Sequence, residues 1–376
     1  MGQLPEKLLR KLELRKENNA FRQLPNNNSL VDLSSNDYLG LAKNEALYDS
    51  AHKLLVDQSM KLNGATGSRL LSGNHPLYDR AELMISKFHQ AEAALIFNSG
   101  YDANIGLFSS VPQRGDIILY DELIHASIRD GIKMSNAKAY KFRHNDIADI
   151  GEILKKLQQA EAIYVVTESV FSMDGDTPDL KKLAAFCHAN NLKLIVDEAH
   201  AVGVFGFGLT QENGIAQHIF ATVITFGKAL GCHGAAILGS TALKDYLVNF
   251  SRSLIYTTGL PPHSLATILS AYEILEQDIR IVERLRENIE FFNMQIEELQ
   301  IRPLFIPSES SIHCAIIPGN KKVKEIAKKI QEKGFDVRAI LSPTVPEGAE
   351  RLRFCLHSYN SKEDISGVLQ LLIDLI

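Results

Sequence analysis

Apolar and polar residues alternate along this chain in a way that predicts its secondary structure. Between about residues 46 and 243, short apolar runs are separated by stretches of helical periodicity, and such runs are typical of buried strands. The runs are ALIF near Leu95, IILY near Ile118, IYVVT near Tyr164, LIV at Leu194 and TVITF at Val223. Because strands and helices alternate, we predict an α/β fold with a mostly parallel sheet and helices on both of its faces.

The regions on either side of this alternation predict further helices. Near the N-terminus, Leu8, Leu12 and Phe21 recur at helical spacing and predict an amphipathic helix, which the polar break PNNNS at 25–29 follows. A long helical region is predicted at about 262–299. We interpret its charged residues as a solvated helix face that connects two domains.

Beyond about residue 302 the pattern predicts a smaller α+β unit. HCAIIPG, which begins at His313, and RLRFCLHS predict strands, KKVKEIAKKIQEKG predicts a helix that ends at Gly334, and Ser361 caps a final helix. We therefore predict three parts: an N-terminal helix and arm at 1–45, a large domain at 46–265, and a connecting helix with a small C-terminal α+β domain at 266–376.

Composition and charge argue against several classes of protein. The 376 residues are 45% hydrophobic and 23% charged, which is typical of a globular enzyme. The net charge is −5 and the basic residues form no block, so we expect no nucleic-acid partner. No apolar run has the length of a membrane span, and the N-terminus has no signal-peptide core. The four cysteines, Cys187, Cys232, Cys314 and Cys355, form no C-x-x-C pair, so we expect no metal site and a cytoplasmic location.

The segment VDEAH at 196–200 has two interpretations. It matches the acidic box of a DEAH-type nucleic-acid motor, but such a motor also needs a phosphate loop, G-x-x-x-x-G-K followed by Ser or Thr, and the chain has none. Alternatively, Asp197 ends a buried strand, which is where open α/β sheets bind ligands. His200 follows three residues later, so a carboxylate and an imidazole could face one bound ring. A helix cap with a solvent-exposed histidine would give the same pattern.

Three other strand ends carry polar or glycine residues. NSGYDAN follows ALIF, and the backbone N–H groups of Gly100 and Tyr101 are candidates for binding a phosphate at a helix N-terminus, although an ordinary turn has the same composition. His125 follows IILY, where a lone histidine is more often a surface residue. Lys228 follows TVITF, with Thr225 and small residues nearby, and a desolvated lysine can form a Schiff base. In this order along a parallel sheet, these groups are the parts needed to hold pyridoxal 5′-phosphate.

The ordered set of motifs resembles that of the α-oxoamine synthase family, within the fold-type-I pyridoxal-phosphate enzymes. The resemblance covers nearly the whole chain and rests on SSNDYLGLA, GATGSRLLSGNH, FNSGYDAN, HASIRDG, ESVFSMDGD, VDEAHAVG, TFGKALG and RLRFCLHS. It implies a large domain with a mostly parallel seven-stranded sheet flanked by helices, and a smaller C-terminal α+β domain. It also implies a homodimer with shared active sites.

The resemblance implies roles for the residues around the cofactor. Lys228 would bind pyridoxal phosphate covalently and act as acid and base at the substrate α-carbon. Asp197 would pair with the ring nitrogen, His200 would contact the ring hydroxyl, and His125 would stack on the ring. The remaining cofactor contacts implied are Gly100, Tyr101 and Thr225 at the phosphate, Ser172 beside the cofactor, and Thr258 at the phosphate of the opposite subunit.

The resemblance also implies substrate-binding residues and an activity. Arg353 would bind the amino-acid carboxylate with help from Asn36, Glu168 would line the acyl-thioester site, and Arg22 would also reach substrate. SNDYLGL, GATGSRLLSG and SPTVP are similar to the biotin-pathway members, which implies condensation of L-alanine with a pimeloyl thioester. Another oxoamine synthase, such as a glycine C-acetyltransferase, and a cofactor-binding protein without turnover are the alternatives. The sequence does not distinguish coenzyme A from a carrier protein as acyl carrier, or alanine from glycine or serine.

Overall fold

The computed structural model describes residues 4–24, 29–157 and 160–376, so most of the predicted polar break lies outside the described residues. The α-helices of this part of the chain are α1 (Glu6–Glu17), α2 (Glu45–Asp57), α3 (Pro76–Phe88), α4 (Gly100–Ser110), α5 (Ala126–Met134), α6 (Ile147–Lys156), α7 (Leu180–Ala189), α8 (Leu209–Glu212), α9 (Thr241–Phe250), α10 (Arg252–Ile255), α11 (Pro262–Gln277), α12 (Ile279–Glu298), α13 (Asn320–Glu332) and α14 (Lys362–Leu375). Its strands are β1 (Val31–Asp32), β2 (Ala93–Phe97), β3 (Ile117–Asp121), β4 (Lys138–Phe142), β5 (Ile163–Glu168), β6 (Lys193–Asp197), β7 (Ala221–Thr225), β8 (Ala235–Gly239), β9 (Ile312–Ile316), β10 (Phe335–Asp336), β11 (Arg338–Ile340) and β12 (Arg351–Cys355).

The main sheet has seven strands among the described residues, in the order β2-β8-β7-β6-β5-β3-β4. Only β8 runs antiparallel to its neighbours, so the prediction of a mostly parallel sheet is confirmed. The apolar runs predicted β2, β3, β5, β6 and β7 but not β4 or β8. The edge strand β4 has the sequence KAYKF and exposes its first four residues, so it lacks the apolar pattern of a buried strand.

The central strands bury side chains on both faces of the sheet. Ile118, Val166 and Ile195 belong to a core shared with α4, α5 and α9. The alternate residues Val165 and Leu194 belong to a second core, shared with α6 and α7. Because both faces are covered, these strands are apolar without interruption, and the predicted helices on both faces are confirmed.

The chain divides into two compact units. The larger comprises residues 36–172 and 176–285, and the smaller comprises residues 1–35, 173–175 and 286–376. The predicted domain boundaries at 45/46 and 265/266 stay predictions.

No described helix combines the length and the apolar character required to cross a membrane.

The smaller unit contains an antiparallel sheet, β11-β12-β9, and a short parallel pair, β1-β10. Ser361 caps α14 in a capping box with Asp364, which confirms the predicted start of that helix. The predicted N-terminal helix is also present as α1, but it ends before Phe21 and none of its side chains is buried.

The single helical region predicted at about 262–299 is wrong in one respect, because the structure has two helices there. Asp278 lies between α11 and α12 with φ −114° and ψ 78°, outside the helical region. The predicted solvated face is present, since Glu283, Arg284 and Glu287 of α12 are exposed, but the helix also has a buried face. Along one side α12 buries Leu285, Ile289 and Phe292, because its apolar residues recur at intervals of three and four.

A cluster of charged, partly buried side chains lies at the ends of β3 and β4. His144 Nδ1 is 2.9 Å from Asp121 Oδ1, and its Nε2 is 2.8 Å from Asp176 Oδ2. Burial alone would lower the pKa of His144, but the hydrogen bonds to the two carboxylates outweigh it and raise the pKa to about 10. His144 is therefore a cation at neutral pH, and it ties the end of β3 to the loop that follows β5.

Candidate active site

The carboxyl ends of β3, β5, β6 and β7 meet at one edge of the sheet because these strands are parallel. Glu168 is the last residue of β5 and pairs in register with Asp197, the last residue of β6. Thr225 ends β7, and Lys228 follows three residues later. His125 is the N-cap residue of α5, just after β3. The structure thus brings together the polar groups that the sequence places after separate strands.

Asp197 is only 6% exposed, and both of its carboxylate oxygens accept hydrogen bonds. The backbone N–H of Ala199 donates to Oδ1 over 2.9 Å, and Asn104 Nδ2 donates to Oδ2 over 2.9 Å. Sequence reasoning missed Asn104. The available signal is its position four residues after Gly100, on the mostly apolar buried face of α4. These two donors fix the rotation of the Asp197 carboxylate.

His125 is linked to the same network through a hydroxyl group. Its Nδ1 lies 2.8 Å from Ser127 Oγ, which also accepts a hydrogen bond from Asn104 Nδ2 over 3.0 Å. Desolvation lowers the pKa of His125, the Asp197 carboxylate opposes that shift, and the Lys228 ammonium adds to it. A neutral imidazole at this position can stack on an aromatic ring without bringing a second positive charge.

Glu168 is a buried carboxyl group whose Oε1 accepts the backbone N–H of His125. Burial and the neighbouring Asp197 carboxylate together raise its pKa to about 8, although the Lys228 ammonium opposes them. Glu168 is therefore largely protonated at pH 7, while Asp197 beside it accepts two hydrogen bonds. Neighbouring acids in unlike environments are typical of active sites.

The loop that carries Lys228 packs closely against its surroundings. Gly231 has φ +61°, and a Cβ there would lie 2.1 Å from the backbone nitrogen of Ala42, so only glycine fits. A Cβ on Gly100 would lie 3.6 Å from Thr225 Cγ2, an ordinary contact distance. The N-terminus of α4 therefore lies against the end of β7, and its backbone N–H groups can serve an anion there.

The side chain of Tyr101 is half exposed, and its hydroxyl donates to Asp130 over 3.0 Å. The phosphate contact predicted for Tyr101 therefore concerns its backbone N–H. This position in the first turn of α4 is one where helix N–H groups have no intrahelical acceptor.

His200 and Asn36 are joined by Tyr38, which the sequence reasoning did not identify. The Tyr38 hydroxyl donates to Asn36 Oδ1 over 3.1 Å and lies 2.7 Å from His200 Nδ1. Tyr38 thus holds His200 by its Nδ1 and leaves the other ring nitrogen, Nε2, for the predicted contact with a ring hydroxyl.

The other predicted residues lie in loops of the larger unit or belong to the smaller unit. Ser172 lies in the loop after β5, and Thr258 is exposed while its carbonyl oxygen accepts from Asn98 Nδ2 over 2.6 Å. Arg353 is a buried residue of β12, and Arg22 Nη2 lies 3.4 Å from Thr344 Oγ1, both in the smaller unit. Their substrate-binding roles stay predictions.

The residues beyond Lys228 include two unusual side chains, Cys232 and His233. Cys232 Sγ lies 3.0 Å from the carbonyl oxygen of Leu230, and burial raises the pKa of the thiol far above its ordinary range. Cys232 is therefore a neutral group that packs within the loop. His233 is exposed.

Comparison with known proteins agrees with this arrangement. The sequence profile of the family aminotransferase class I and II matches residues 28–370. A serine palmitoyltransferase from S. paucimobilis with a bound PLP–myriocin aldimine has the same fold, with a TM-score of 0.88 at 24% identity over 98% of this chain and 96% of its own. The fold and the site define a fold-type-I, pyridoxal-phosphate-dependent transferase.

Two further relatives identify the family within this class of transferases. The 8-amino-7-oxononanoate synthase of Emericella nidulans is 39% identical over 98% of this chain and 96% of its own length. The crystal structure of 8-amino-7-oxononanoate synthase from Francisella tularensis has a TM-score of 0.78 and 30% identity, over 93% of this chain and 98% of that one. The chain therefore belongs to the aminotransferase class I and II family and, within it, to the 8-amino-7-oxononanoate synthases. VDEAH is part of a transferase site, and its interpretation as a helicase box is wrong.

The residues of the larger unit fit pyridoxal phosphate. The helix N-terminus at Gly100 with Thr225 suits the phosphate, and the buried Asp197 carboxylate suits a protonated ring nitrogen. Lys228 supplies an amine close enough to Glu168 and His125 to alter their pKa values. The predicted cofactor is confirmed by the family.

Proposed function

We propose that the protein catalyses the decarboxylative condensation of L-alanine with a pimeloyl thioester, which yields 8-amino-7-oxononanoate, CO₂ and a free thiol. One observation carries the proposal: Lys228, Asp197, His125 and Glu168 converge at one sheet edge in a chain that is 39% identical to a synthase of that name. Pyridoxal phosphate, when bound, withdraws electrons from the substrate α-carbon.

The chain's own residues have separate tasks in this reaction. Lys228 Nζ removes and returns the proton at the α-carbon. Asp197, fixed by Ala199 and Asn104, keeps the ring nitrogen protonated, and His125 covers one face of the ring. Since the carboxyl group of Glu168 is largely protonated at pH 7, its O–H can donate a hydrogen bond to the acyl thioester.

Arg353 and Ser172 complete the proposed roles. The Arg353 guanidinium binds the carboxylate of the amino acid together with Asn36, because a planar fork of N–H donors matches a carboxylate. Ser172 lines the cofactor site. Arg22 also reaches substrate.

The test is product analysis with paired substrates. The holoenzyme with L-alanine and pimeloyl-CoA should release thiol and CO₂ in equal amounts and form a product with the mass of 8-amino-7-oxononanoate. Glycine with acetyl-CoA is the matched control. A higher kcat/KM for that pair would overturn the proposal in favour of a glycine C-acetyltransferase. Pimeloyl carrier protein, tested in parallel, identifies the preferred acyl carrier.

We also propose that the protein is a cytoplasmic homodimer whose active sites are shared. Leu70, Leu71 and Tyr256 are 50%, 85% and 73% exposed, and they lie on two segments joined by a hydrogen bond from Gly259 N to Gly67 O. Exposed apolar groups on adjacent segments favour contact with another protein surface. Light scattering should give twice the monomer mass. Leu71→Asp should lower that mass, whereas Leu83→Asp, at an exposed position of α3, should not.

A further inference from the structure

Asn104 stands between the two groups that would hold opposite parts of the cofactor ring. Its Nδ2 donates to Asp197 Oδ2 over 2.9 Å and to Ser127 Oγ over 3.0 Å, and Ser127 Oγ lies 2.8 Å from His125 Nδ1. One amide thus connects the acid assigned to the ring nitrogen with the histidine assigned to the ring face.

Burial makes this connection specific. Asn104 is 2% exposed and Ser127 is 1% exposed, so water cannot readily replace either contact. The orientation of the amide is also determined: turning it over would bring Oδ1 against the Asp197 carboxylate. In the structure the buried Oδ1 of Asn104 has no hydrogen-bond partner among the described residues. The site therefore uses the N–H donors of this amide and leaves its oxygen unsatisfied.

The helices that carry the two residues pack closely. Asn104 lies on α4, and Ser127 lies in the first turn of α5. A Cβ on Gly131 of α5 would lie 2.8 Å from the carbonyl oxygen of Asn104, so the glycine permits this close approach. We call the hydrogen-bonded series Asp197–Asn104–Ser127–His125 the relay. Its two central residues lie on two helices in direct contact, and helices hold a site more precisely than loops do.

The relay also keeps the charges apart. Asp197 binds an amide and a backbone N–H, and His125 binds a hydroxyl, so the carboxylate and the imidazole do not form an ion pair with each other.

We propose that Asn104 is a positioning residue that sets both the Asp197 carboxylate and, through Ser127, the His125 ring for binding pyridoxal phosphate. The inference rests on the roles proposed for Asp197 and His125. It does not depend on which amino acid or thioester the enzyme uses. At metal sites, loss of an outer hydrogen-bonding partner typically reduces affinity or activity by about 10- to 100-fold, and we expect a loss of the same size here.

The experiment compares cofactor binding in three variants. Asn104→Leu has a similar shape but donates to neither neighbour. Ser127→Ala removes the hydroxyl that joins Asn104 to His125, but it keeps the Asp197 contact of Asn104 and the hydrogen bond from the Ser127 backbone N–H to His125 Nδ1. Ser110→Ala is the matched control. Ser110 is also buried, but its hydroxyl bonds to the Gly106 carbonyl oxygen within α4. The dissociation constant of pyridoxal phosphate is measured by titrating apoenzyme, and the visible band of each holoenzyme is titrated with pH.

Asn104→Leu should raise the dissociation constant about 10- to 100-fold and move the midpoint of the pH titration. Ser127→Ala should move the midpoint in the same direction by less, and Ser110→Ala should change neither quantity. If Asn104→Leu binds and titrates like the parent protein, the proposal is overturned. If circular dichroism shows that Asn104→Leu is unfolded, Asn104→Ser decides by the same two measurements.

These readouts need no substrate. A parent enzyme that fails to condense L-alanine with pimeloyl-CoA, while the variants behave as expected, would overturn the proposed substrates and support the role of Asn104. If the parent enzyme catalyses the condensation but the Asn104 and Ser127 variants bind the cofactor like the parent, the proposed substrates are supported and the role of Asn104 is overturned.

Discussion

His125 and His144 lie near carboxylates in the same unit, yet the two imidazoles differ in charge. Both nitrogens of His144 bond directly to carboxylates, Asp121 and Asp176, and its pKa rises to about 10. His125 bonds to the hydroxyl of Ser127, and desolvation lowers its pKa. Direct contact with an anion makes one histidine a cation, and an intervening hydroxyl leaves the other neutral.

The difference shows how one fold separates a structural cluster from a binding site. At His144 each charge has an opposite charge in contact, so the cluster stabilises the ends of the strands. At His125 the amide of Asn104 lies between the imidazole and the Asp197 carboxylate, and that carboxylate stays available for a ligand. A change at the site should therefore affect chemistry, and a change at the cluster should affect stability.

The largest effect that separates the two regions is expected from Lys228→Ala. Removing the amine removes the proton transfer at the α-carbon, a contribution of roughly 10²- to 10⁴-fold. Turnover is measured by thiol release, and thermal unfolding is measured in parallel. The melting temperature should stay close to that of the parent protein. Residual turnover within tenfold of the parent would contradict the role of Lys228.

Asp197→Asn should reduce kcat by about 10²- to 10³-fold, a loss typical of removing one electrostatic group from a site. The amide cannot hold the proton of the ring nitrogen. Asp179→Asn is the matched control, because Asp179 caps α7 through the backbone N–H of Lys182 and has no proposed role in catalysis. If both variants lose the same activity, the effect of Asp197→Asn is not specific to the site.

The sequence predicts the core of the sheet because its central strands are buried on both faces and are therefore apolar throughout. It also predicts the strand-end residues Asp197 and Lys228, since the carboxyl ends of parallel strands meet at one edge. It could not predict β4, whose exposed lysines interrupt the apolar pattern.

Asn104, Ser127 and Tyr38 were missed for a different reason. Each of them has an essential partner far away in the chain: Asn104 and Ser127 are 23 residues apart, and Tyr38 and His200 are 162 residues apart. Periodicity shows that Asn104 faces inward but not what it meets there. The packing of α4 against α5 decides that contact, and local sequence patterns carry no information about it.

His144→Asn should lower the free energy of unfolding by about 2–3 kcal/mol, since hydrogen bonds to charged groups are lost and the buried Asp121 and half-buried Asp176 carboxylates lose their cation. Denaturant unfolding measures the loss. His218→Asn at an exposed position is the control and should stay within about 0.5 kcal/mol of the parent. Equal losses in the two variants would show that the His144 cluster adds no stability of its own.

The stabilisation by His144 should also depend on pH. Its pKa rises from 6.5 to about 10 on folding, so the protonated form is favoured in the native state. The contribution is complete below pH 6.5 and is lost as the pH rises through about 10. The difference in unfolding free energy between the parent and His144→Asn should therefore be larger at pH 6 than at pH 10. A difference that is constant over this range would contradict a charged His144.

The smallest change is expected from Tyr101→Phe. The Tyr101 hydroxyl contacts Asp130 at the surface, so its loss should leave the dissociation constant of pyridoxal phosphate unchanged. Tyr101→Pro removes the backbone N–H instead, and proline is tolerated in the first turn of a helix. Because a hydrogen bond to a charged group is worth about 1.5–3 kcal/mol, this variant should weaken cofactor binding at least about tenfold. Circular dichroism confirms that each variant is folded. Weaker cofactor binding by Tyr101→Phe than by Tyr101→Pro would assign the phosphate contact to the side chain. The phosphate would then bind to the Tyr101 hydroxyl at the surface, and not to the backbone N–H at the N-terminus of α4 as we infer.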